Sequence, residues 1–148
     1  MDNARAAVHA RAIRLLAGRE HSRAELRRKL LARDGSPAEI DGILDDLERD
    51  GHLSDQRFAE SWLRSRIGRG QGPLRIRRDL AAKGVADELI ERVFDSIDSD
   101  WDGLLRQVHD RKFGDTPCAD GRDMARRARF LAYRGFASCD IQRLLRRA

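Results

Sequence analysis

The chain has 148 residues, 41% of them hydrophobic and 37% charged. That length suits one ordinary domain or several small units that share a core. The apolar fraction excludes a disordered tail, and no apolar run approaches the roughly 18 residues of a membrane span. Thirty basic residues against 25 acidic ones leave a net charge of +5, which suits a polyanionic partner; only three of the thirty are Lys, a bias that a GC-rich genome would also produce.

From the N-terminus, residues 1–16 show Ala and Arg at helical spacing and no apolar signal-peptide core, so a cytosolic protein without a leader is expected. Val8, Ile13, Leu15 and Leu16 predict a first amphipathic helix. Ser22 with Glu25 fits a capping box opening a second helix that runs to Leu30 and ends at Gly35. Ser36 with Glu39 fits another, with Pro37 in the first turn of a helix carrying Ile40, Ile43 and Leu44. Phe58, Trp62 and Leu63 predict the next helix, and the run Gly68-Arg69-Gly70-Gln71-Gly72-Pro73 predicts a loop. Pro73 opens a helix with Ile76 and Leu80 facing inward, closed by Gly84 and followed by Ile90, Val93 and Phe94. Trp101, Leu104, Leu105 and Val108 begin the last group, a longer loop is expected over 112–123, and two helices carry Leu131, then Ile141, Leu144 and Leu145. No stretch reads as a strand.

A repeat underlies this order. Leu30, Ile40, Ile43 and Leu44 stand at steps of 10, 3 and 1; Leu80, Ile90, Val93 and Phe94 repeat those steps, as do Leu131, Ile141, Leu144 and Leu145. A Gly follows the first position each time, at 35, 84 and 135. The unit is a helix ending at a Gly able to take positive φ, a short turn, and a second helix whose i, i+3, i+4 face meets the first. The expected fold is therefore all-α: three tandem three-helix repeats, about nine helices, over 1–52, 53–98 and 99–148. Repeats that share contacts with their neighbours imply an elongated, curved molecule. Charge follows the same rhythm, with +6 over 1–33, −7 over 34–60, +6 over 61–86, −6 over 87–123 and +6 over 124–148. Like blocks would line one face if the structure repeats; opposite blocks would otherwise pair on a solvated surface.

Catalytic chemistry finds little support. Gly68, Gly70 and Gly72 follow no strand and precede no Lys-Ser/Thr, so they are not a phosphate-binding fingerprint. His9, His21, His52 and His109 are scattered, and Cys118 and Cys139 lack metal-ligand or disulfide spacing. Glu20, His21 and Ser22 are adjacent and cannot converge as a triad. No enzyme activity, cofactor, metal or small-molecule substrate is expected. The candidate binding residues are instead Arg66, Arg69, Arg75, Arg77, Arg78 and Lys83 in the second repeat, and Arg126, Arg127, Arg129 and Arg134 in the third. Arg64, Arg143, Arg146 and Arg147 lie nearby. Guanidinium groups hold phosphates bidentately or pair with protein carboxylates. Phe130, Tyr133 and Phe136, at that spacing, read as core rather than as a base-stacking platform.

Leu15-Leu16, Arg19-Glu20-His21-Ser22 and Glu25-Leu26 resemble the N-terminal signature of the RecX family. Gly51 to Asp55, Phe58-Ala59, and Gly70-Gln71-Gly72-Pro73 with Ile76, Leu80 and Lys83-Gly84 resemble its central signature. Lys112-Phe113-Gly114, Arg129-Phe130-Leu131 and Arg134-Gly135-Phe136 resemble its C-terminal one. The resemblance implies a negative regulator of the bacterial recombinase RecA, working in the cytoplasm in DNA repair, homologous recombination and the SOS response. Its implied partners are the RecA filament and, non-specifically, single-stranded DNA, with no membrane. Filament binding would inhibit ATP hydrolysis, strand exchange and coprotease activity, the second and third repeats supplying the contact face. The alternative from the residues alone is a direct DNA-binding, helix-turn-helix-like protein whose recognition element lies within 127–147.

Overall fold

The computed structural model describes residues 3–147, with every side chain among them except those of Asp34 and Arg147. Arg147, one of the basic positions named above, therefore has its side chain outside the described residues. The elements are α1 (Asn3–Gly18), α2 (Arg23–Asp34), α3 (Pro37–Arg49), α4 (Asp55–Gly68), α5 (Pro73–Ala82), α6 (Asp87–Ser96), α7 (Trp101–Phe113), α8 (Gly121–Tyr133) and α9 (Ser138–Arg147). Among the described residues these nine helices are accompanied by no strand. The repeat's apolar positions are all buried except Leu144, which is half-buried. Its three glycines take positive φ, at 103°, 86° and 104° for Gly35, Gly84 and Gly135.

The helix starts differ in part from the sequence reading. Ser22 Oγ accepts the Glu25 N–H at 3.1 Å, but the Glu25 carboxylate turns to Arg19 and Lys83 instead of returning to the cap. That capping box is half formed. Ser36 makes no side-chain cap at all; α3 starts on the fixed φ of Pro37 and the Ile40 N–H bond to the Ser36 carbonyl at 3.0 Å. Two caps outside the expected set do form: Asp100 accepts the Gly103 N–H at 2.9 Å and Asp120 the Asp123 N–H at 2.8 Å. Because α7 continues to Phe113 and α8 begins at Gly121, the loop expected over 112–123 shrinks to 114–120.

The chain forms two compact units, residues 1–61 with 80–93 and residues 62–79 with 94–148. In the first, Leu26 and Leu30 of α2 meet Ile40, Ile43, Leu44 and Leu47 of α3, with Ala12 of α1 and Leu53 completing the cluster. Ala12 is fully buried while Ile13, Leu15 and Leu16 pack only at the margin, so the helix stripe is centred on a small residue. In the second unit Leu105 and Val108 of α7, Leu131 of α8, Phe136, and Ile141 and Leu145 of α9 form the core. The repeat limits expected near 52 and 98 fall between α3 and α4 and between α6 and α7, whereas compactness assigns parts of α4, α5 and α6 to both units.

One junction occurs once in each unit. In the first, Ser22 at the start of α2 donates its hydroxyl to the Lys83 carbonyl just past α5, at 2.7 Å. Ala24 lies so close to Gly84 that a Cβ on the glycine would stand 2.5 Å from the Ala24 Cβ. In the second, the Gly72 N–H donates to the Arg134 carbonyl at 2.8 Å and the Leu74 N–H to the Gly135 carbonyl at 3.0 Å, joining the start of α5 to the end of α8. A Cβ on Gly72 would lie 2.5 Å from the Gly135 oxygen. Gly84 and Gly135 thus serve two purposes: positive φ turns the chain out of the helix, and the missing side chain admits the neighbouring helix start.

Candidate polyanion-binding surface

Lys83 lies in the first unit and the other nine predicted basic residues in the second. Lys83 is turned inward. Its ammonium stands 3.4 Å from the buried Glu25 carboxylate, which also pairs with Arg19 at 3.0 Å. Desolvation pushes the Glu25 carboxyl up, but the Arg19 pair and then Lys83 outweigh it and hold the pKa at about 2. Beside it, buried His21 has Nδ1 3.1 Å from the Arg19 carbonyl and Nε2 2.8 Å from Lys29 Nζ. Nδ1 must donate to the carbonyl and Nε2 accept from the ammonium, which fixes the neutral tautomer. Burial lowers the His21 pKa accordingly. Lys83 therefore helps hold the first junction closed.

Arg127 is also turned inward: it is only 5% exposed. Its guanidinium donates to the Thr116 carbonyl at 2.8 Å, lies 3.2 Å from His109 Nε2, and pairs with Asp123 at 3.0 Å. The Asp123 carboxylate accepts the Ala119 N–H and pairs with Arg126 and Arg127, which holds its pKa at about 2. This arginine clamps the 114–120 loop onto α7 and α8, and it does not belong to an exposed basic face. Arg77 is half-buried with its guanidinium 4.2 Å from the Phe94 ring centroid, a packing role.

Of the remaining arginines, Arg66, Arg69, Arg75 and Arg134 lie near one another. The end of α4 and the following turn carry Arg66 and Arg69, α5 carries Arg75 and Arg78, and α8 carries Arg126, Arg129 and Arg134 with its C-cap. Arg66 stacks 3.9 Å from the Trp62 ring centroid. Burial lowers its pKa and the nearby charges of Arg69 and Arg75 lower it further, Asp79 opposing them. Arg134 donates to the Arg69 carbonyl. Both line a cleft of about 380 Å³ together with Arg111, Lys112 and Gln107, over a floor of Ile67, Leu104, Val108 and Phe130. No carboxylate lines this cleft, and among the described residues no acidic side chain pairs with Arg69, Arg111, Lys112, Arg129 or Arg134. Four cations over an apolar floor suit an anion that also carries an apolar part.

Elsewhere in the second unit Arg78 is exposed and 3.7 Å from Asp79, and Arg126 pairs with Asp123 at 2.7 Å. Arg143 pairs with Asp140. Arg111, Lys112 and Gln107 are outside the set predicted from sequence. A basic pair closing a helix ordinarily answers the negative end of the helix dipole, so nothing in the spacing separates a capping pair from a binding one. The aromatic expectation divides: Phe136 is core and Phe130 packs against it, but Tyr133 is 75% exposed. It stands two positions beyond buried Leu131, about 200° around the helix, on the opposite face.

Among the described residues no three His, Cys, Asp or Glu side chains gather as metal ligands, and no helix is long and apolar enough to cross a membrane. Cys118 and Cys139 are free thiols. Against known proteins, models of the first, second and third three-helix domains of RecX match residues 9–47, 54–93 and 98–145. The chain belongs to the RecX family. Proteins named regulatory protein RecX resemble it closely: that of Halorhodospira halophila is 43% identical over 136 residues, 92% of this chain and 84% of the relative. That of Ectopseudomonas mendocina is 45% identical over 141 residues, 95% of this chain and 93% of the relative. The crystal structure of RecX from Lactobacillus salivarius shares the fold at a TM-score of 0.78 and 20% identity, covering 99% of this chain and 97% of that one. Another, of regulatory protein RecX, gives 0.81 at 20% identity over 98% of this chain and 72% of its own. The RecX three-helix domains thus span the α1–α3, α4–α6 and α7–α9 groups described above.

Proposed function

We propose that this RecX-family chain is a negative regulator of RecA that works in the cytoplasm by binding the RecA–single-stranded DNA filament, without catalysis of its own. The observation that carries the reading is the match of all three RecX domains in order along the chain, joined to the concentration of unpaired arginine on the second unit. Bound there, the regulator would oppose ATP hydrolysis, strand exchange and coprotease activity by the filament. The cleft between α4, α7 and α8 and the arginines of α5 and α8 form the contact face. A filament offers both acidic protein groups and phosphates, and guanidinium groups take either.

The test is RecA ATP hydrolysis on single-stranded DNA during titration with this protein at two salt concentrations. Inhibition is expected, weaker at the higher salt, and Arg69→Glu with Arg111→Glu should remove most of it while helicity is unchanged. Retained inhibition by the double variant would reject the cleft as contact face. Absence of inhibition by the wild-type protein, with steep salt-dependent DNA binding intact, would reject the RecA reading in favour of a direct DNA binder.

A further inference from the structure

We infer that the solvent face of α8 is a track for single-stranded nucleic acid, in which Arg122, Arg126 and Arg129 hold successive phosphates and the ring of Tyr133 stacks a base. These positions are separated by four, three and four residues, the spacing of a single helix face. All four side chains are exposed. At the rise of an α-helix they stand about 6, 4.5 and 6 Å apart along the axis. The opposite face of α8 carries buried Arg127 and Leu131, so no rotation of the helix brings Tyr133 into the core.

Two features of this face identify the occupant. First, Arg122 and Arg129 have no acidic partner among the described residues, and Arg126 shares Asp123 with Arg127. Two of the three arginines are thus uncompensated and the third shares one carboxylate with Arg127, an excess of positive charge that favours a polyanion over a protein surface of mixed charge. Second, the stripe ends at an aromatic ring 75% exposed, and Leu74 of α5 is 53% exposed. The Arg75 guanidinium lies 5.4 Å from the ring centroid, and the Leu74 N–H bond to Gly135 fixes that end of α5 against the end of α8. The ring is therefore held at the surface by rigid elements. A duplex keeps its base faces covered, whereas an unstacked base presents a π-face to such a ring, flanked by a guanidinium. Phosphate contacts and a stacked ring carry little sequence information, so binding is indifferent to sequence.

This inference rests on the polyanion reading of the second unit and names which of its groups meet nucleic acid; RecA takes no part in it. Tyr133 is the single tyrosine of the chain, so protein made with 3-fluorotyrosine reports this residue alone by ¹⁹F NMR. Titration with an oligo-dT strand should shift and broaden the signal to saturation. A blunt hairpin duplex and polyglutamate of matched charge should leave it nearly unmoved. Tyr133→Ala should weaken oligo-dT binding roughly 5- to 150-fold, the range of one base–aromatic stack, and Tyr133→Phe should retain it. Neutralising Arg122, Arg126 or Arg129 to Gln should each reduce the slope of log affinity against log salt by about 0.7.

An unmoved ¹⁹F signal at saturating oligo-dT, an equal response to duplex or polyglutamate, undetectable oligo-dT binding, or unchanged affinity of Tyr133→Ala would each overturn the assignment. Because the assay contains only protein and DNA, such a failure leaves inhibition of RecA standing, and loss of RecA inhibition leaves this result standing.

Discussion

Replacing Gly72 by Ala isolates the backbone crossing between the start of α5 and the end of α8. Gly72 is not among the glycines with positive φ, so an alanine there carries no torsional strain and its effect comes from space alone. The added Cβ would lie 2.5 Å from the Gly135 oxygen, 2.6 Å from its carbonyl carbon and 2.8 Å from the Phe136 nitrogen. All three are main-chain atoms, so no side chain can swing aside and the two segments must separate by about 1 Å to reach ordinary contact. That movement loosens the Gly72–Arg134 and Leu74–Gly135 hydrogen bonds, at about 0.5–1.5 kcal/mol each. Overpacking adds about 1–3 kcal/mol. The expected destabilisation is about 2–6 kcal/mol, read as a fall in the melting temperature of roughly 6–18 °C for a chain of this size. Gly121→Ala, with nothing within 4 Å of the new methyl and ordinary φ, is the control and should change stability by less than about 1 kcal/mol. Thermal and urea unfolding followed by circular dichroism measure both. A Gly72→Ala protein as stable as its Gly121→Ala counterpart would refute the claim that backbone contact holds this junction.

Other outcomes follow from the charged groups. Arg127→Ala leaves the Thr116 and Pro117 carbonyls without their donor, while Asp123 keeps Arg126 and the Ala119 N–H, and should cost about 1–3 kcal/mol, whereas exposed Arg129→Ala should stay within about 0.5 kcal/mol and weaken only polyanion binding; urea unfolding and oligonucleotide anisotropy separate the two. Glu25, held at about 2 against an ordinary 4.5, contributes stability that is present above pH 4.5 and lost as pH falls toward 2. The wild type should lose up to about 3 kcal/mol over that window, and Glu25→Gln should start less stable and show a flatter acid limb. His21 acts in the same direction at higher pH: its lowered pKa means that stability is complete above 6.5 and declines as pH falls through the folded value. His21 Cε1 chemical shifts followed by NMR against pH should accordingly titrate below the ordinary imidazole range.

The three-helix repeat is legible in the sequence because each of its positions is set by local rules: apolar spacing fixes the buried faces, and a glycine fixes each helix end. Burial of Leu30, Leu80 and Leu131 needs no knowledge of distant residues. The site is less legible because it depends on which long side chains turn inward. Arg127 and Arg129 stand two apart in one helix, yet the first is buried by carbonyls of Thr116 and Pro117 in a loop and the second faces water. Spacing alone assigns neither. The cleft joins the turn after α4 to the last turn of α7, so Arg111 and Lys112 acquire meaning only once those ends meet. Tyr133 is misread for a related reason: its neighbours Phe130 and Phe136 are packed, and aromatic spacing suggests a shared fate that helix phase denies.

The paired junctions carry a consequence for recognition itself. The exposed amide groups at a helix start are the readiest anion receptor a protein possesses, because they need no charged side chain and are already oriented. Here α5 turns its first amides toward the closing carbonyls of α8, and the hydroxyl capping α2 reaches the closing carbonyl of α5. Those receptors are sealed by the molecule's own architecture. At these two starts any recognition of an anion is left to arginine side chains, whose long stems let the charged ends follow a ligand of changing contour while the helices beneath them stay fixed. Such a surface adapts to a ligand without demanding one register.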